Sequence, residues 1–204
     1  MKKLISQLKS ARIESMDINN AFDLSLYQLP DGNYELSVLM KLQFFFTDNH
    51  PHYWEGNEQD CFILEWQDAI QEFWGNKIIH ILPAGNSIKL TFDFLIQKGG
   101  WMFDHWEITV TKIASQEFKV SFTDPDRNNV HLDSEDLVYV GRQRGAIHEF
   151  GHMIGLPDEY KNSRHIVDLK SIMHSGEEIR DRHYSLFVDW VERTLAETAE
   201  EINS

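Results

Sequence analysis

Between residues 34 and 46 the chain reads YELSVLMKLQFFF, and Tyr34, Leu36, Val38, Met40, Leu42, Phe44 and Phe46 fall on alternate positions. A helix would scatter these side chains around its axis, whereas a strand gathers them on one face. The run is therefore read as a long strand that opens a sheet.

The next segment changes period. Residues 58 to 74, EQDCFILEWQDAIQEFW, place Phe62, Trp66, Ala69, Ile70 and Phe73 at three-and-four spacing, the stripe of an amphipathic helix that Gly75 and Asn76 end. Alternation returns in SIKLTFDFLI, WEITV and FKVSF, with reversals marked by Gly99 and Gly100 and by Asp124 to Asn129, so antiparallel strands are predicted there. RQRGAIHEFGHMIG, from Arg142, reads as a second helix closed by Gly155, with Pro157 preventing its resumption. A last helix over DRHYSLFVDWVERTLAE carries Phe187, Trp190, Val191 and Leu195 on one face and frays into the acidic end. The fold class expected is α+β: a twisted, mostly antiparallel sheet packed on the first helix and the histidine-bearing helix, with the third helix following.

At 204 residues and 42% hydrophobic content the chain can build one sizeable core and is short for two enzymatic domains, so one domain over 1–204 is expected. Its 33 acidic against 19 basic residues give a formal charge of -14, which repels phosphate backbones and argues against nucleic acid as a partner. The lone cysteine, Cys61, is read as a small buried hydrophobe and gives no sign of an oxidising compartment. In MKKLISQLKSARIES, Ser6, Gln7, Lys9 and Ser10 break the apolar run a signal peptide needs, and no membrane span is visible. The expectation is a protein cytoplasmic as synthesised, with non-classical export open and the oligomeric state unread.

The chemistry concentrates in AIHEFGHMIGLPDEY, residues 146 to 160. On a helix His148 and His152 lie on one face and can aim two imidazole nitrogens at one cation. Zinc accepts such nitrogens at about 2.0 to 2.1 Å. Glu149, beside the first histidine, suits a general base rather than a ligand. Gly155 turns the backbone so that Asp158 can return as a third, carboxylate ligand, leaving a fourth position for water. Neighbouring Glu159 is the alternative in that role.

HEFGHMIGLPD resembles the zinc motif of the metzincin metalloproteases, HExxHxxGxxH, with Asp158 in the third-ligand place as in small relatives of snapalysin type. SIMHS, residues 171 to 175, is similar to the methionine turn of that clan in its SxMHY astacin and serralysin form. The resemblance covers residues 142 to 176 by motif. It implies one catalytic Zn2+ held by His148, His152 and Asp158, Met173 as a hydrophobic floor, and a zincin-like domain with a sheet-rich part (1–156) and a small C-terminal part (157–204). It also implies a metalloendopeptidase, a zinc hydrolase in which Glu149 activates metal-bound water against a protein or peptide substrate lying along an edge strand. Ser175 replaces the tyrosine of that turn, so that contribution is absent or comes from Tyr160 or Tyr184. The carboxylate ligand leaves iron or manganese open.

Two other functions stay in view: an injected or non-classically exported toxin-like hydrolase of one protein or of cell-wall peptide, and a non-catalytic binding module braced by zinc. Glu159, Tyr160, His183 and Tyr184 are candidates for supporting the ligands or touching substrate, and Arg180, Arg182 and His183 for binding a substrate carboxylate or carbonyl. DPDRNNVHLDSE has Asp124, Asp126, Asn128 and Glu135 at the spacing of a Ca2+ loop, but Asn129 replaces its turn glycine and strands flank it, which favours a polar hairpin turn. His50 and His52 lack a third ligand and are read as loop, and His174 as a turn residue.

Overall fold

The computed structural model describes residues 1–100, 104–117, 119–139, 143–161 and 164–203, with side chains as far as residue 200. Eight strands are formed: β1 (Lys3–Leu8), β2 (Asp23–Gln28), β3 (Tyr34–Thr47), β4 (Lys77–Ile81), β5 (Ser87–Lys98), β6 (Trp106–Thr111), β7 (Phe122–Asp124) and β8 (Asn129–Asp133). The helices are α1 (Glu58–Phe73), α2 (Gly145–Met153) and α3 (Ser185–Asn203).

The alternating run is β3, and its inward residues Leu36, Val38, Met40, Leu42 and Phe44 are all buried. It organises the sheet without opening it. One edge pairs antiparallel with β2 over Tyr34–Leu39 and parallel with β6 over Leu42–Thr47, while the other edge pairs parallel with β5 over Tyr34–Phe44. Beyond β6 the sheet continues with β8, parallel, and then β7, antiparallel and bonded among the described residues to β8 alone. Parallel pairing thus runs through the centre, and antiparallel pairing is confined to β1–β2–β3, β4–β5 and β7–β8. The expectation of a mostly antiparallel sheet is corrected to a mixed one.

The reason is connectivity. α1 carries the chain back from the end of β3, so β5 runs in the same direction as β3, as a helical crossover requires. Gly99 and Gly100 begin a crossing to the other edge of β3 rather than a hairpin; the Gln43 side chain holds both of their carbonyls, at 2.9 and 2.6 Å. In FKVSF only Phe122 is strand, and Phe118 lies outside the described residues. The reversal at Asp124 to Asn129 is a hairpin, with a short 3-10 turn at Pro125–Arg127.

α1 buries Phe62, Ile63, Trp66 and Ile70, with Ala69 and Phe73 partly covered. Cys61 is exposed, not buried, because it falls outside that stripe. α3 buries Phe187 and Val191 and continues through the acidic end to Asn203 instead of fraying; its Glu and Ala residues are good helix formers. Asp181–Tyr184, expected as the start of this helix, form a 3-10 turn. Among the described residues no helix is long and apolar enough to cross a membrane.

α2 is fixed from behind. Phe150, halfway between the two histidines, projects from the opposite side of the helix. Its ring lies 5.9 Å from that of Trp66 and 5.1 Å from that of Phe92, which ties the helix to α1 and β5. The face carrying His148 and His152 is thereby turned away from the core.

Candidate metal centre

α2 begins at Gly145, after an extended Arg144 whose backbone N–H and guanidinium all donate to Glu177. The predicted start at Arg142 lies outside the described residues. At its far end Gly155 takes φ +90°, and an added Cβ there would also meet Ile13 at 2.5 Å, so both conformation and space demand glycine. The chain reverses and returns Asp158 beneath the histidines.

Each imidazole is oriented by a carbonyl: His148 Nδ1 lies 2.7 Å from Ile172 O, and His152 Nδ1 lies 2.7 Å from Leu156 O. A carbonyl only accepts, so each Nδ1 carries a hydrogen and each Nε2 is left facing the cluster, where it offers a lone pair whenever its ring carries no second proton. Both Nε2 atoms lie 3.3 Å from the same oxygen, Asp158 Oδ1, which is buried without a hydrogen-bond partner. In the form without a proton on either Nε2, three electron pairs converge there. A cation resolves that arrangement, and these residues form the one group of metal-ligand type among the described residues, with ligand atoms within 4.8 Å of one another.

Burial would push the Asp158 carboxyl up, but the imidazoles of His148 and His152 and the Lys161 ammonium, 2.5 Å from Oδ2, outweigh it and hold the group well below the usual carboxylate range. For His152 burial acts downward, and Asp158 outweighs it, raising the imidazole above its ordinary value. A proton on His152 is thus the competitor of a metal ion.

Glu149 is buried beside this group without joining it. Its Oε2 accepts a 2.8 Å hydrogen bond from Thr123 Oγ1 on β7, a contact that nothing local in the sequence foretells. A groove of about 310 Å³ runs over the histidines, Glu149 and Asp158, with Phe122 and Thr123 of β7 forming one wall.

The predicted methionine turn packs under α2. Met173 is buried, and a Cβ added at Gly151, between the histidines, would lie 2.2 Å from its sulfur. Gly151→Ala is expected to destabilise the fold by about 1 to 3 kcal/mol, as overpacking does, despite the better helix propensity of alanine. Chemical denaturation measures this, and an unchanged or raised midpoint would contradict the close packing.

Glu159 is not turned to the histidines. Its carboxylate takes two 2.8 Å hydrogen bonds from Arg182, while its backbone N–H donates to Met173 O at 2.8 Å. Arg182 and Arg180 also bind Asp168, so of the two readings of these arginines, substrate contact or the balancing of acidic neighbours, the structure shows the second: they clamp the loop after Asp158 to the segment before α3. His183 is buried, 3.2 Å from Ser171 Oγ, and burial draws its imidazole down to about 4; it braces the methionine turn and is closed to substrate. Tyr184 is likewise a core residue, its hydroxyl donating to Trp74 O at 3.0 Å, and does not reach the site. Tyr160 does: it lines the groove with His148, Glu149 and Asp158, and its ring packs on His174.

The Ca2+ reading is not supported by how its residues are placed. Asn128 donates to the carbonyls of Asn19 and His105, and Glu135 accepts from the Gln116 N–H, so the four side chains do not converge. His50 and His52 lie in a turn closed by backbone bonds between Asn49 and His52.

A second cavity, of about 330 Å³, opens beside Glu149. Asp136, on its wall, is 5% exposed, and burial pushes its carboxyl up to about 7. A raised acid favours folding while protonated, so this contribution is complete below about 3.8 and fades as pH rises through about 7. Between pH 5 and pH 8 the wild type is expected to lose a few kcal/mol relative to Asp136→Asn, read from denaturation midpoints. Parallel pH profiles would contradict it.

No protein-family model matches the chain, and no curated protein matches it.

Proposed function

We propose that the protein is a metal-dependent peptidase of metzincin type, built as one zincin-like domain, that hydrolyses peptide bonds with Glu149 as general base. The observation that carries this reading is the convergence of His148 Nε2, His152 Nε2 and Asp158 Oδ1, with a second carboxylate, Glu149, alongside but outside the cluster. Two imidazoles and one carboxylate suit zinc and leave one position of a tetrahedron free. Bound there, zinc would supply Lewis acidity, lowering the pKa of a water to about 7 and polarising a carbonyl.

The chain's own groups do the rest. Glu149, held by Thr123, takes the proton of the attacking water and returns it to the leaving amine. Tyr160, on the groove wall, is the hydroxyl available to steady the oxygen of the carbonyl under attack. Among the described residues β7 bonds to β8 alone, so its other edge can pair with an extended peptide and lay the scissile bond across Glu149.

The test is digestion of a denatured proteome by zinc-loaded protein, with new N-termini identified by mass spectrometry. The reading requires a reproducible set of termini that disappears on chelation. Zinc-loaded protein that generates none would overturn it.

A further inference from the structure

We propose that the cavity beside Glu149 selects the side chain of a lysine or arginine flanking the bond that is cut, an inference that rests on the peptidase reading above. The cavity shares His148, Glu149 and Tyr160 with the groove, so whatever enters it is attached to substrate at the reacting centre. At about 330 Å³ it has room for one long side chain.

Among the described residues its charge is one-sided. Glu117, Asp133, Glu135 and Asp136 line it together with Glu149, and no lysine or arginine is among the described lining residues. Two buried carboxylates away from this cavity have cations: Asp23 is bound by Lys9 and Lys41, and Glu159 by Arg182. Asp133 and Asp136, just as buried, have no ion-pair partner among the described residues, and Lys119 acts on Asp133 only from a distance. Their partners are backbone N–H groups and the Ser121 hydroxyl.

A buried carboxylate without a counter-charge is costly, and the high pKa of Asp136 reflects that cost. The oxygens of these four acids do not gather at metal-ligand spacing among the described residues, so a bound cation of single charge and longer reach fits better than a metal ion. The exposed side chains of Val120 and Val138 on the same wall offer apolar surface to the methylene stem that a lysine or arginine carries behind its charge.

The test uses zinc-loaded protein and peptides that differ only at the residues flanking one bond. Lysine or arginine at one of these positions is expected to give at least about tenfold higher kcat/KM than norleucine, the size of effect that a single partly desolvated charge pair produces. The preference should collapse toward parity in Asp136→Asn with Glu135→Gln. If that pair fails to fold, Val138→Lys, at an exposed position, should cancel the preference by placing an ammonium at the cavity.

A second readout needs no turnover. In zinc-loaded Glu149→Gln protein, N-acetyl-lysine methylamide should shift the valine methyl resonances of Val120 and Val138 at about tenfold lower concentration than N-acetyl-norleucine methylamide. Equal binding of the two amides, or cleavage indifferent to flanking charge, would overturn the inference. Lysine-selective binding by protein that cuts no peptide would instead sink the peptidase reading and leave the cavity's selectivity standing.

Discussion

Glu149→Gln is expected to hold zinc as the wild type does while losing about 10² to 10⁴ in kcat, the contribution of a positioned general base. The geometry separates the two effects. Glu149 touches Thr123 and lies outside the His148, His152 and Asp158 cluster, so an isosteric amide keeps the Thr123 hydrogen bond through its carbonyl and leaves the ligands undisturbed. What the amide lacks is basicity: it cannot take a proton from water near neutral pH. Turnover of a fluorogenic peptide and zinc content by elemental mass spectrometry, measured on the same preparations, test the pair of outcomes. Unchanged turnover would remove Glu149 from the mechanism. Turnover lost together with zinc would make it a ligand or a structural support.

Zinc returned to the chelated protein is expected to raise its stability by about 3 to 4 kcal/mol at free concentrations between a hundred and a thousand times the dissociation constant. The gain should vanish in Asp158→Ala and in His152→Ala, because each removes one of the three donors that converge there. Its pH dependence has a definite sign. In the metal-free chain the His152 pKa is raised, so the contact with Asp158 contributes stability that is complete below the ordinary histidine value of 6.5 and fades as pH rises through the raised one. Zinc needs the neutral imidazole, so its contribution runs the other way, present at high pH and lost as pH falls through that value. Thermal denaturation with and without zinc at pH 8 and pH 5 should show a large difference at the first and little at the second. Equal shifts at both would exclude imidazole ligation.

What sequence made legible here follows from range. The alternation of β3 and the stripes of α1 and α3 are local, and each fixes which face is buried. The meeting of His148, His152 and Asp158 is nearly local as well: one helix turn joins the histidines, and Gly155 with φ +90° brings the third side chain back. β1 and β2 went unread because neither alternates cleanly in hydrophobicity: β1 is largely exposed, and β2 carries Asp23 and Ser25 on buried positions. The parallel pairings went unread because strand direction is set by crossovers, and alternation looks alike in either direction. At the site, the hydrogen bond from Thr123 to Glu149, the clamp of Arg182 on Glu159 and the burial of Asp133 and Asp136 without an ion pair among the described residues all join residues distant in the chain or depend on burial. Glu159 stood as an alternative to Asp158 on spacing alone; its engagement with Arg182 separates them.

The proposed open metal centre is tested most directly by X-ray absorption on zinc-loaded protein, with and without acetohydroxamate. The account predicts one zinc per chain in a shell of nitrogen and oxygen at about 2.0 to 2.2 Å, containing two imidazoles and one carboxylate, whose remaining place is held by water that the hydroxamate displaces. A fourth protein ligand that the hydroxamate leaves in place would contradict it and make the ion a brace for the fold.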